Sequence, residues 1–127
     1  PMEDRRVSDF VEGLKKTLAR QDRKVCVIAS VDLAHVGPRF GDKESIGPDR
    51  LAATQQQDLE MLECVRASDA EAFFRFVQEE GDKRNICGRT PLYTQLRALE
   101  DREVSLLKYG VAPDPEGTVT FASLLIR

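Results

Sequence analysis

The sequence contains one histidine, His35, and three cysteines, Cys26, Cys64 and Cys87. A single imidazole excludes a self-contained histidine-rich metal site. An odd number of widely spaced thiols argues against a disulfide framework and for a reducing, cytoplasmic setting. No long apolar run is present. The longest, Phe121 to Ile126 with Ser123 inside it, is far too short to span a bilayer, so no membrane association is expected. The first residues, PMEDRRVSDF, hold no apolar stretch of the kind a secretory signal needs. Nor is there an excess of one charge: the net charge is −3, with acidic and basic residues interspersed. That leaves no basic stripe to follow a phosphate backbone, and no nucleic-acid partner is expected.

What is present fits one domain over residues 1–127, with 41% hydrophobic and 32% charged residues, as in ordinary globular chains. Asp9 with Glu12 reads as a capping box opening a first helix, whose apolar face is Phe10, Val11, Leu14 and Leu18. Lys24 to Ser30 is continuously apolar and β-branched, the pattern of a buried strand in a mostly parallel sheet. A polar, glycine-containing loop from Asp32 to Pro48 follows, long enough to suggest function. A second helix is predicted over Asp49–Arg66, buried through Leu51, Leu59, Leu62 and Val65. Ser68 and Glu71 form a capping box for a third helix carrying Phe73, Phe74 and Val77, ended by Gly81. Thr90 and Pro91 suit the start of a fourth. Glu103–Val111 and Thr118–Ile126 then flank a turn-rich segment, Pro113 to Gly117, as a β-hairpin. Helix, strand, three helices and a hairpin make an α/β or α+β layer arrangement. The Lys24–Ser30 strand has no visible parallel partner, so something else should complete the sheet.

Two segments could carry chemistry. Asp32 and His35 sit where the apolar strand gives way to the loop, and ligands of open α/β sheets bind outside the carboxyl ends of strands. A carboxylate beside an imidazole fixes its tautomer and raises its basicity, which suits a general base. The competing reading makes Asp32 a turn cap and His35 a surface residue. Cys87, within Asn85 to Pro91, precedes a helix start, where free N–H groups and the helix dipole favour thiolate. Such a sulfur could be a nucleophile or a soft metal ligand; otherwise it is a small inert core residue. Cys26 and Cys64 are assigned to packing. The Gln55–Gln57 run reads as a solvated helix face.

Together these segments resemble the Memo-like family, whose bacterial members are called AmmeMemoRadiSam system protein B. The resemblance rests on Ile28-Ala-Ser-Val-Asp-Leu-Ala-His-Val-Gly-Pro-Arg-Phe-Gly-Asp42, on Gly81-Asp-Lys-Arg-Asn-Ile-Cys-Gly-Arg-Thr-Pro-Leu92, and on the hairpin segments Leu107–Gly110 and Thr118–Ala122. It implies part of a three-layer α/β/α sandwich similar to class III extradiol dioxygenases. His35 would match the histidine that handles protons beside iron, with Asp32 in the same motif, and Cys87 would match the cysteine at the metal. The family's two metal-binding histidines belong to an N-terminal half that this sequence does not contain. The resemblance therefore reads residues 1–127 as a C-terminal half with an incomplete site, holding no iron tightly by itself and not active alone. Its expected partners are that missing half or a second copy, joined through a sheet edge or apolar face. A different reading is a binding module for a small ligand, peptide or phosphopeptide, with Arg39, Arg84 and Arg89 as anion contacts. A thiol hydrolase using Cys87 and His35 is a third.

Overall fold

Asp4, rather than Asp9, opens the first helix in the computed structural model, which describes residues 1–127. The Asp4 carboxylate accepts the Arg6 backbone N–H at 2.9 Å, and α1 runs over Arg5–Ala19. The earlier start adds Val7 to the packed face, where it lies against the core, and Val11 is fully buried. Phe10, expected on that face, is 62% exposed. The further helices are α2 (Pro48–Arg66), α3 (Ala70–Glu79) and α4 (Arg89–Ala98). The strands are β1 (His35–Val36), β2 (Val104–Ala112) and β3 (Thr118–Ile126). One turn of 3₁₀ helix, Pro38–Phe40, interrupts the long loop. No helix is long and apolar enough to cross a membrane.

Helix boundaries follow local chemistry. Asp69 caps α3 by accepting the Ala72 N–H at 2.9 Å, so the cap falls one residue after Ser68. Gly81, at φ 68, ends it as a left-handed residue that costs glycine little. Helix α4 begins at Arg89 behind Gly88, a residue before Thr90. On α2 the inward face is Thr54, Asp58, Met61, Leu62 and Val65; Leu59 is 40% exposed. Polar side chains at Thr54 and Asp58 continue the same helical stripe as Met61, Leu62 and Val65, which places both inside.

The three strands form one antiparallel sheet in the order β1-β3-β2. β2 and β3 make the expected hairpin, with Val104 opposite Ile126 and Ala112 opposite Val119. β1 is short and pairs His35 with Val119. The core gathers α2, α3 and α4 beneath the sheet, around Phe73, Met61, Leu62 and Leu96. The chain thus combines helices and sheet as an α/β fold, but its sheet contains no parallel pair.

The segment expected to be the central buried strand behaves differently. Residues 24–30 lie in no strand, Cys26 is exposed rather than packed, and Val25 and Ile28 are 50% and 78% exposed. Between Arg23 and Val31 the one hydrogen bond to the main chain is from Gln95 Nε2 to the Val27 carbonyl, at 2.8 Å. The segment is apolar enough for a buried strand, but no strand of this chain reaches it. Beyond Thr120, β3 diverges from it and leaves a cleft of about 420 Å³. Val25, Val27 and Ala29 line it together with Leu92, Leu124 and Ile126.

Candidate functional site

Asp32, His35 and Cys87 meet at the end of this cleft, where the apolar segment enters β1. The chain there is held by main-chain bonds from two directions. Leu33 N–H donates to the Thr120 carbonyl, and Thr120 N–H donates to the Ala34 carbonyl. From the other side the His35 N–H donates to the Arg84 carbonyl at 2.7 Å, and Asn85 Nδ2 donates to the His35 carbonyl at 3.0 Å. Asn85 has φ 50, a left-handed conformation that asparagine tolerates better than most residues. The two segments singled out in the sequence are therefore neighbours.

Asp32 joins the other two residues through different parts of itself. Its carboxylate lies 3.9 Å from His35 Nε2, too long for a hydrogen bond but close enough to pair with the ring once protonated. Its backbone N–H donates to Cys87 Sγ at 3.3 Å, and the thiol donates to its carbonyl at 3.4 Å. His35 Nδ1 lies 3.2 Å from the Leu33 carbonyl. A carbonyl only accepts, so this contact assigns the proton to Nδ1 and leaves Nε2 as the basic nitrogen facing Asp32. Phe40 stacks edge-on against the ring, with centroids 5.1 Å apart. The imidazole is mostly covered (20% exposed), whereas the Asp32 side chain is open to solvent.

Gly88 makes this approach sterically feasible. A Cβ there would sit 2.8 Å from the Asp32 carbonyl oxygen and 3.0 Å from Val31 Cγ2. Gly88→Ala is expected to cost about 1–3 kcal/mol through overpacking against backbone, measured by chemical denaturation. It should also displace Cys87 from Asp32, seen as a changed alkylation rate at Cys87. A stability and rate equal to the parent's would show that the junction is looser than these distances imply.

The three arginines suggested as anion contacts are engaged elsewhere. Arg39 lies 3.3 Å from Asp114 and packs on the β2–β3 turn, against the position of Gly117. Asp42 closes that loop, accepting the Gly37 N–H at 2.5 Å and pairing with Arg50 at 2.6 Å. Arg89 pairs with Asp82 at 3.5 Å and lies over the Phe74 ring, 5.2 Å from its centroid. Arg84 is buried. It pairs with Asp58 and with Glu80 at 3.0 Å.

Asp58 is the functional-looking residue that sequence reasoning missed. It is fully buried and accepts from Tyr109 OH at 2.7 Å and Thr120 Oγ1 at 2.5 Å, besides Arg84. Burial pushes its carboxyl above the ordinary range, against the opposing pull of Thr120, Tyr109 and Arg84. Burial first, and then the hydrogen bond to Asp58, raise the Tyr109 phenol. This network ties α2 to β2, β3 and Arg84, whose carbonyl holds His35. It supports the corner from behind without touching the imidazole.

The donor chemistry of the corner falls short of a metal site. No group of three His, Cys, Asp or Glu side chains in the chain is arranged to hold an ion, and protein-bound transition metals ordinarily take at least that many ligands. The 420 Å³ cleft begins beside the corner, at Val31 and Leu33, but is lined mainly by apolar side chains.

No curated protein matches the chain. The Memo-like protein family matches it over residues 2–123, a span that contains both segments of the corner and nearly all of the hairpin behind it. That family implies the dioxygenase-like sandwich, and the helices with their small antiparallel sheet are consistent with an α/β fold. The chain belongs to the Memo-like family.

Proposed function

We propose that the Asp32–His35–Cys87 corner is one side of a metal- or redox-dependent active site similar to that of extradiol dioxygenases, completed by residues from outside this stretch of chain. The observation that carries this reading is the double role of Asp32. Its carboxylate faces His35 Nε2 at 3.9 Å, while its main chain holds Cys87 Sγ at 3.3 Å. In this reading His35 takes a proton on Nε2, the carboxylate of Asp32 stabilises the resulting imidazolium, and the Leu33 carbonyl keeps Nδ1 protonated throughout. Cys87, an exposed residue, offers a thiol beside Asp32. Iron would need further donors, so the chain alone is proposed to hold none tightly and to be inactive by itself. Phosphopeptide recognition ranks second, because Arg39 and Arg89 already pair with Asp114 and Asp82.

The single histidine makes the test direct, since one imidazole supplies every histidine signal. In nitrogen-15 spectra the neutral ring is expected as the Nδ1–H tautomer. Its Nε2 resonance should move on Asp32→Asn and again on alkylation of Cys87, in a chain whose Cys26 and Cys64 are replaced. A ring in the Nε2–H form, or one indifferent to both changes, would sink the reading. Anaerobic titration with Fe(II) beside Cys87→Ala addresses the missing donors. Stoichiometric binding lost in the variant would mean that the site is complete after all.

A further inference from the structure

We infer that Asp58 is a positioning residue for His35: its two carboxylate oxygens hold, through Thr120 on one edge and Arg84 on the other, the main chain that carries the imidazole. The role deepens the active-site reading and rests on it, since it gives the Nδ1–H form of the ring a cause. Asp58 stands on the inward stripe of α2 with Met61, Leu62 and Val65 and is fully buried. Burial of a carboxylate is costly unless donors surround it. An apolar side chain there would hold α2 against the sheet about as well, because buried ion pairs add little net stability over hydrophobic residues of similar volume. What the carboxylate adds is direction: each oxygen fixes where its donors stand.

Asp58 Oδ2 accepts from the Thr120 hydroxyl at 2.5 Å. A hydroxyl has one proton to give, so its lone pairs are left for the Ala34 N–H, which donates to Thr120 Oγ1 at 2.9 Å. The Thr120 N–H donates to the Ala34 carbonyl as well, so both main-chain groups of this fully buried alanine are tied to one residue. With Ala34 fixed, the Leu33 carbonyl stands where His35 Nδ1 meets it at 3.2 Å. Asp58 Oδ1 serves the other edge. It accepts from the Arg84 guanidinium, which Glu80 also holds at 3.0 Å. With its side chain anchored, Arg84 presents its carbonyl to the His35 N–H at 2.7 Å, and Asn85 donates to the His35 carbonyl. The main-chain groups of Ala34 and His35 are thus bonded to Thr120, to Arg84 and to Arg84's neighbour. Asp58 never touches the ring; it acts by placing the carbonyl that selects the tautomer.

Nitrogen-15 spectra of the single histidine, joined to amide hydrogen exchange, test this. Thr120→Val keeps the shape of the side chain and removes the hydroxyl. Asp58→Asn keeps the shape and sets an amide N–H₂ against donors, either the guanidinium or the hydroxyls of Thr120 and Tyr109. In both variants the ratio of Nδ1–H to Nε2–H ring should fall roughly two- to tenfold, the worth of one hydrogen bond, read as the two ring signals approaching each other. The Ala34 and His35 amides should also exchange faster. Thr120→Ser retains the hydroxyl and should return both readouts to the parent's. Phe73→Ala, in the core outside this network, controls for lost stability and should leave the ring signals in place. A ring that ignores Asp58→Asn and Thr120→Val while still answering Asp32→Asn overturns the inference and spares the active-site reading. So does a ring displaced as far by Phe73→Ala as by Thr120→Val, or a Thr120→Ser chain no closer to the parent than Thr120→Val. A ring that answers Thr120→Val and not Asp32→Asn supports the positioning and sinks the active-site reading instead.

Discussion

Asp58→Ala is expected to lower the unfolding free energy by about 3–5 kcal/mol, the usual cost of removing one partner of a buried ion pair. The size follows from what is left behind. Arg84 is 4% exposed and would keep only Glu80 as a charged partner. The Tyr109 and Thr120 hydroxyls would lose the acceptor they share. Asp58→Asn keeps an acceptor oxygen and should cost less near neutral pH. Its pH dependence carries a definite sign. Because burial raises the folded carboxyl above its ordinary value of 3.8, the folded chain binds the proton before the unfolded one as pH falls. Stability from this group is fully present below the unfolded value and is lost as pH rises through the folded one. The asparagine variant has no such slope, so its deficit should be larger near about pH 4 than near about pH 7. Urea melts of parent and variant over that range are the measurement. An Asp58→Ala cost below about 1 kcal/mol would show that the pair is solvated in solution.

Phe73→Ala should be comparably severe, at about 3–5 kcal/mol. Its ring is fully buried in the core formed by α2, α3 and α4, and deleting it leaves a cavity as well as the lost transfer energy. Domains of this size are stable by only about 5–15 kcal/mol, so the variant should melt well below the parent. Differential scanning calorimetry reads this directly. A small shift would mean that neighbours such as Met61 collapse into the space. Phe74 offers the contrast. It is half-buried at the edge of the core, against Tyr93 and Arg89, and its truncation should cost less.

What could be read from the sequence divides along the range of the interactions involved. The hairpin and α2 to α4 were legible nearly to the residue, because caps, turn formers and apolar periodicity act within a few positions. Even so, two local signals competed at the first helix. The Asp9–Glu12 box is sound capping chemistry, but starting at Asp4 also brings Val7 onto the core, and packing outweighed the cap. Both segments of the corner were also legible, through the types and spacing of Asp32, His35 and Cys87. Their adjacency was not, since it depends on Gly88 admitting the Asp32 carbonyl. Residues 24–30 mislead for a different reason: their composition describes an environment that this chain does not itself provide. Asp58 was hidden by its neighbours Gln55 to Gln57, which mark a solvated face, while its three partners lie on distant elements.

β1 has a consequence for the order in which the molecule assembles. The pairing that positions His35 joins residues far apart in sequence: Thr120 reaches Ala34 across 86 positions, and Asn85 reaches His35 across 50. Contacts of such separation require closing long loops before they return any free energy, and they slow folding accordingly. Helices α2 to α4 can form and collapse on short loops without them. The main-chain bonds that fix the His35 corner are thus expected to form late, when the hairpin docks, after the ring's local contacts with Leu33 and Phe40 have become available.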